Sequence, residues 1–167
     1  MAEHSRLQAD FIADIVLQKP ELIDELIQIV FRNKEPLSRR ASWPLRIISD
    51  RNAMVLQPYL PFMIDSILQL ENVSILRAIL ASLVNSDIPE SHQGEMLQFT
   101  SEILINSNSP VALLIYSSDI FYKLSLNEPE LLNELRLMLE QLLPFGSAGV
   151  KSKCRKILKK IEKANYK

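Results

Sequence analysis

Apolar residues recur at helical spacing along almost the whole chain, and short polar turns carrying Pro, Asn, Asp or Ser break the pattern. No stretch alternates apolar and polar residues in the way a half-buried strand does. The spacing predicts nine helices, at about 4–18, 20–33, 36–50, 53–70, 73–85, 89–107, 110–126, 129–144 and 148–165. Pro20, Pro36, Pro89, Pro110 and Pro129 each suit a first helical turn, where a missing N–H costs little and φ is already set. Asn72 and Ser109 offer side-chain oxygens for capping free amides. The last segment forms a single stripe of Val150, Cys154, Ile157, Leu158 and Ile161, with Lys153, Lys156, Lys160 and Lys163 directed elsewhere.

The predicted helices repeat. A small residue recurs in alternate helices at Ala41, Ala78, Ser117 and Cys154, spaced by 37, 39 and 37 residues. Four positions later stand Leu45, Ser82, Phe121 and Leu158, and one before stand Arg40, Arg77, Tyr116 and Lys153. A turn is expected nine residues after the small position, at Asp50, at Asp87 and at Leu126-Asn127. A second echo sets Pro20-Glu-Leu-Ile-Asp-Glu-Leu26 against Pro129-Glu-Leu-Leu-Asn-Glu-Leu135. One helix pair cannot bury its own apolar stripe, so pairs must lie on one another, and the small residues allow close approach. The expected core includes Ile12, Ile15, Leu22, Leu26, Ile47, Leu60, Ile64, Leu76, Leu80, Leu83, Leu97, Leu104, Leu114, Phe121, Leu131, Leu135, Leu139, Ile157, Leu158 and Ile161.

The segment Leu37-Ser-Arg-Arg-Ala-Ser-Trp-Pro-Leu-Arg-Ile-Ile-Ser-Asp50 resembles the first helix and turn of a HEAT-type repeat, with a basic residue, a small residue, an apolar residue four further on and Asp at the turn. The resemblance covers residues 5–165 at a period slightly short of the usual ~40–47 residues. Pro44 is expected to bend its helix by removing one backbone bond, as first helices of HEAT repeats often bend. The resemblance implies an all-α, right-handed α-α superhelix of about nine helices. Residues 1–167 would form one domain, with helix pairs at about 4–33, 36–70, 73–107 and 110–144 and a capping helix at 148–165.

Composition narrows the function. The 167 residues include 45 Leu and Ile but only 3 Gly, which leaves little from which to build a glycine-lined phosphate loop. Two histidines and one cysteine can make neither a disulfide framework nor a structural zinc site. The net charge of −1 hides an asymmetry: residues 151–167 hold 8 Lys/Arg and 1 Asp/Glu, and residues 1–150 hold 11 and 19. No secretory leader and no apolar run of ~20 residues is visible, so a cytoplasmic location and no membrane span are expected.

Catalytic motifs are missing, among them His-Glu-x-x-His, Gly-x-Ser-x-Gly and the P-loop. Lys153, Arg155 and Lys156 could lower the Cys154 thiol pKa, yet Cys154 occupies a small inward slot and reads as packing. His92 reads as an exposed imidazole, His4 as part of a frayed terminus, and Asp24/Glu25 and Glu130/Glu134 as a wet face. Arg39, Arg40, Arg46 and Arg51 cluster around the third helix, with Trp43 at an expected packing position.

The expected function is therefore a non-catalytic protein-interaction module that presents a concave helical groove to a protein or peptide partner. No catalytic, cofactor or metal residues are assigned. Met54, Tyr59, Phe62 and Met63 exceed what one buried stripe can hold. Tyr59 and Phe62 are the candidate partner contacts, flanked by Asn133 and Arg136. Because HEAT-like folds include bacterial DNA glycosylases of the alkylation-repair type, the alternative is a nucleic-acid-associated protein or a divergent repair enzyme of that kind.

Overall fold

The computed structural model describes residues 5–165, and His4 lies outside them. Among the described residues every regular element is helical, and the elements fall into two compact units, one ending at Pro89 and one beginning at Glu90.

In the first unit, α1 spans Arg6–Gln18 and α2 spans Ile23–Phe31, entered through a 3-10 turn at Pro20–Leu22. α3 spans Leu37–Asn52, followed by a 3-10 stretch at Ala53–Tyr59, a short α4 at Leu60–Asp65, a 3-10 turn at Ile67–Gln69, and α5 at Val73–Val84. Local chemistry sets these ends. Ser5 and Gln8 form a reciprocal capping box: Ser5 Oγ accepts from the Gln8 amide at 3.3 Å, and Gln8 Oε1 accepts from the Ser5 amide at 3.4 Å. Asn33, at φ 51°, adopts the left-handed conformation that Asn tolerates and breaks the chain direction after α2. Asn72 Oδ1 accepts from the amides of Ser74 and Ile75 at 2.9 and 3.2 Å, which is the expected cap.

α3 is the spine of this unit, packing against α1, α2 and α5. It stays helical through the buried Pro44 and runs past Asp50 to Asn52. The turn expected at Asp50 is thus displaced: that residue lies in the last helical turn, where its Oδ1 accepts from Asn85 Nδ2 at 3.1 Å. The core expectation fails at Ile12, which is 40% exposed, and is met only in part at Ile15, Leu22, Leu76, Leu97, Leu131 and Leu158, which are half-buried. The face that α1 buries is Ala9, Ala13 and Val16, because small side chains let the α1 and α3 backbones come close.

In the second unit, α6 spans Glu90–Ile105, α7 Val111–Leu124, α8 Pro129–Leu142 and α9 Ala148–Asn165. α7 packs on α6 and α9, and α8 packs on α6 and α9. Phe121, Leu135, Leu139, Cys154, Ile157 and Ile161 share one buried cluster. Pro129 sits in the first turn of α8 as expected, whereas Pro110 itself is the N-cap of α7 and Ser109 makes no capping bond there.

The four small residues of the register are all buried on helices that pack in pairs. Ala41 and Ala78 lie on α3 and α5, which pack together, and Ser117 and Cys154 lie on α7 and α9, which do likewise. None of the four is more than 8% exposed.

Candidate functional site

The single helix expected at 53–70 is broken, and two prolines explain the break. Pro58 and Pro61 have no amide hydrogens to donate, and each ring crowds the carbonyl four residues earlier. The chain tightens into a 3-10 stretch, recovers six residues of α-helix, and tightens again. Leu56, Leu60, Met63, Ile64 and Ile67 still reach the core, whereas Met54 is 67% and Phe62 41% exposed. Phe62 meets Phe31 of α2 edge to face, with ring centroids 5.3 Å apart and planes at 68°. Tyr59 is half-buried. Met63, expected among the surplus apolar residues, is fully buried.

A side-chain amide holds this segment in place. Gln57 Oε1 accepts from the Asp87 amide at 3.2 Å, and Gln57 Nε2 donates to the Asp87 carbonyl, so both backbone groups of the turn after α5 are satisfied by one residue.

Asn133 and Arg136 belong to α8 in the second unit, while Tyr59 and Phe62 belong to the first. Arg136 is engaged along its own helix: Nη2 donates to Asn133 Oδ1 at 2.8 Å and Nη1 to Glu140 Oε1 at 3.0 Å.

The arginines grouped in the sequence diverge in space. Arg51 leaves the end of α3 to bridge Asp10 and Asp14 on α1, at 2.7 and 2.5 Å. Arg40 turns into a groove between α1, α2 and α3, where its Nε is buried without a hydrogen-bond partner. Arg39 and Arg46, paired with Glu35 and Asp50, line a hollow of about 180 Å³ together with Trp43, Ser74 and Arg77. Trp43 is thus a half-buried wall of that hollow rather than a core residue, and Arg77 of α5 joins the cations where the sequence grouping had missed it. The signal was present: Arg77 stands at the same repeat position as Arg40.

The reactive groups are quiet. Cys154 is 1% exposed, and burial pushes its thiol pKa up, an effect larger than the opposing backbone hydrogen bond. Its basic neighbours do not activate it. His92 is half-buried rather than exposed, with Nδ1 2.8 Å from Ser91 Oγ. Asp119 is held by Lys153 at 2.6 Å, and Lys160 lies over the Tyr122 ring at 5.1 Å, so part of the basic C-terminal segment is used inside the fold. Among the described residues no three His, Cys, Asp or Glu side chains gather as a metal site, and no helix is long and apolar enough to cross a membrane.

Paired helices at a period of about 37 residues, with a small residue buried at the same register position of alternate helices, define an α-helical repeat protein. The family model of the HEAT repeat domain matches residues 2–161, and the chain belongs to that family. No curated protein and no solved structure matches it.

Proposed function

We propose that this HEAT repeat protein is a non-catalytic protein-interaction module, a single cytoplasmic domain that receives a protein or peptide partner on the groove face of its helix pairs. The observation that carries the reading is the exposed apolar set on the broken second helix of the 36–70 pair. Met54 and Phe62 stay in solvent although the same segment buries six large apolar side chains, Leu70 included. Exposed apolar surface of this kind is removed from water when a partner docks. Tyr59 and Phe62 are the proposed contacts on the first unit, and Asn133 and Arg136 are proposed separately as polar contacts on α8 of the second. The test is a pull-down from the native cell with wild-type and Tyr59→Ala/Phe62→Ala protein. A specific partner lost with the double variant supports the reading, and an unchanged set of captured proteins overturns it.

A second reading is favoured by the hollow lined by Trp43, Arg39, Arg46 and Arg77, since guanidinium groups beside an indole suit a phosphate carried next to a base. It requires duplex or single-stranded nucleic acid to bind near physiological salt, with affinity falling steeply as salt rises. The repair-enzyme form of this reading further requires turnover that disappears in Asp65→Ala or Asp119→Ala protein that remains folded. The engagement of Asp119 with Lys153 weighs against that form.

A further inference from the structure

The groove between α1, α2 and α3 has a volume of about 470 Å³ and is apolar apart from Gln8 and Arg40. Phe11, Ile12 and Leu37 on its walls are 66%, 40% and 56% exposed, so large apolar side chains from two helices face solvent across one channel. Within it Arg40 holds a buried Nε–H that no acceptor satisfies. Neither feature serves the fold: the apolar side chains are left wet and the donor is left unpaired.

We propose that this groove receives an amphipathic helix from a protein partner, whose apolar face fills the channel and one of whose carboxylates accepts from Arg40. The walls decide the form of the occupant. All three are helices whose backbone groups bond within the helix, apart from the Arg40 carbonyl that Pro44 has no amide hydrogen to reach, so an extended peptide would bring unsatisfied amides and carbonyls against apolar side chains. A helix satisfies its own backbone and presents only side chains, with anchors at i, i+3/i+4 and i+7. Charge decides the rest. Covering Arg40 takes its guanidinium further out of water, which is tolerated only if an acceptor comes with the cover, and a carboxylate supplies both the charge and the lone pairs. The proposal rests on the interaction-module reading but uses a surface separate from Tyr59 and Phe62.

The probe is a displayed library of helical peptides with one face randomised among apolar, acidic, amide and basic residues, selected on the full chain. Enriched clones are expected to carry apolar anchors at helical spacing with one Asp or Glu beside them. A synthesised winner should bind about tenfold more weakly to Arg40→Gln protein, and replacing its carboxylate by the amide should cost the same factor against wild type and nothing further against Arg40→Gln. Leu37→Glu, at an exposed position and with folding checked by circular dichroism, should abolish binding. No enrichment, winners without an acid, or winners indifferent to Leu37→Glu would each overturn the proposal. So would a concentration-dependent dimer that Leu37→Glu abolishes, which would give the groove to a second copy of this chain. Selection on Tyr59→Ala/Phe62→Ala protein should return the same winners. Their loss there, with binding to Leu37→Glu retained, would sink the groove while leaving the interaction module standing. Groove binding together with an unchanged native pull-down would remove Tyr59 and Phe62 as contacts and leave the groove as the binding surface.

Discussion

Lys153 Nζ lies 2.6 Å from Asp119 Oδ2, tying α9 to α7 through two side chains that are 22% and 29% exposed. A partly buried pair stands between the exposed ion pairs that contribute almost nothing and the buried ones that are costly to break. Asp119→Asn and Lys153→Met should each lower unfolding free energy by about 1 kcal/mol. In the double variant the losses should be less than additive, as a denaturant-based double-mutant cycle would read.

Ser117 tests the small-residue register. Its hydroxyl is fully buried and has no hydrogen-bond partner, whereas the equivalent positions on α3 and α5 are alanines. Ser117→Ala should therefore be neutral or stabilising, by up to about 1 kcal/mol, because it removes an unsatisfied polar group. Ala78→Leu, which forces bulk between α3 and α5, should destabilise by about 1–3 kcal/mol or more. Equal effects from the two would show that the slots are not close contacts.

The cap at Asn72 satisfies two amides of α5 and donates from Nδ2 to Glu35 Oε1 at 2.6 Å. Asn72→Ala should cost about 1–2 kcal/mol, and Asn72→Asp less, since the carboxylate keeps the cap but faces Glu35. Urea midpoints for the two variants give the comparison.

Cys154 gives a pH dependence with a definite sign. Its folded-state pKa is raised, so the unfolded chain releases the thiol proton first, above roughly pH 8.5. The contribution to stability is whole below that pH and declines as pH rises towards the folded-state value. Cys154→Ala should flatten this alkaline limb of the stability curve. Ellman's reagent should label the native thiol only as fast as the protein opens, and the denatured thiol at once.

Much of the fold could be read in the sequence because helical spacing and the small-residue register both arise from one requirement, that each pair bury its stripe on a neighbour. Ala41, Ala78, Ser117 and Cys154 needed no tertiary information to be found. Ile12 went astray because periodicity marks an apolar face without saying which of two apolar faces a terminal helix turns inward, and the Ala9–Ala13 face packs closer. The break at Ala53–Tyr59 was foreshadowed by Pro58 and Pro61, whose effect was hidden by the strong apolar spacing around them. The candidate surface was half legible. Surplus apolar residues on one segment were visible, but whether Met54 or Met63 stays in solvent depends on how the 3-10 turns rotate the chain. Arg40 could be found only in space, since its distinction is an orphaned nitrogen.

Four of the polar links between successive helix pairs span similar distances along the chain: Ser49 to Ser82, Asp50 to Asn85, Glu35 to Asn72 and Asp119 to Lys153 are 33, 35, 37 and 34 residues apart. Oily faces would accept almost any neighbour of suitable bulk, but each of these links has one donor and one acceptor in fixed places. A shuffled gene in which the modules trade positions would keep its grease and lose its matching teeth, so the order of the segments is written into the chain as firmly as their shape.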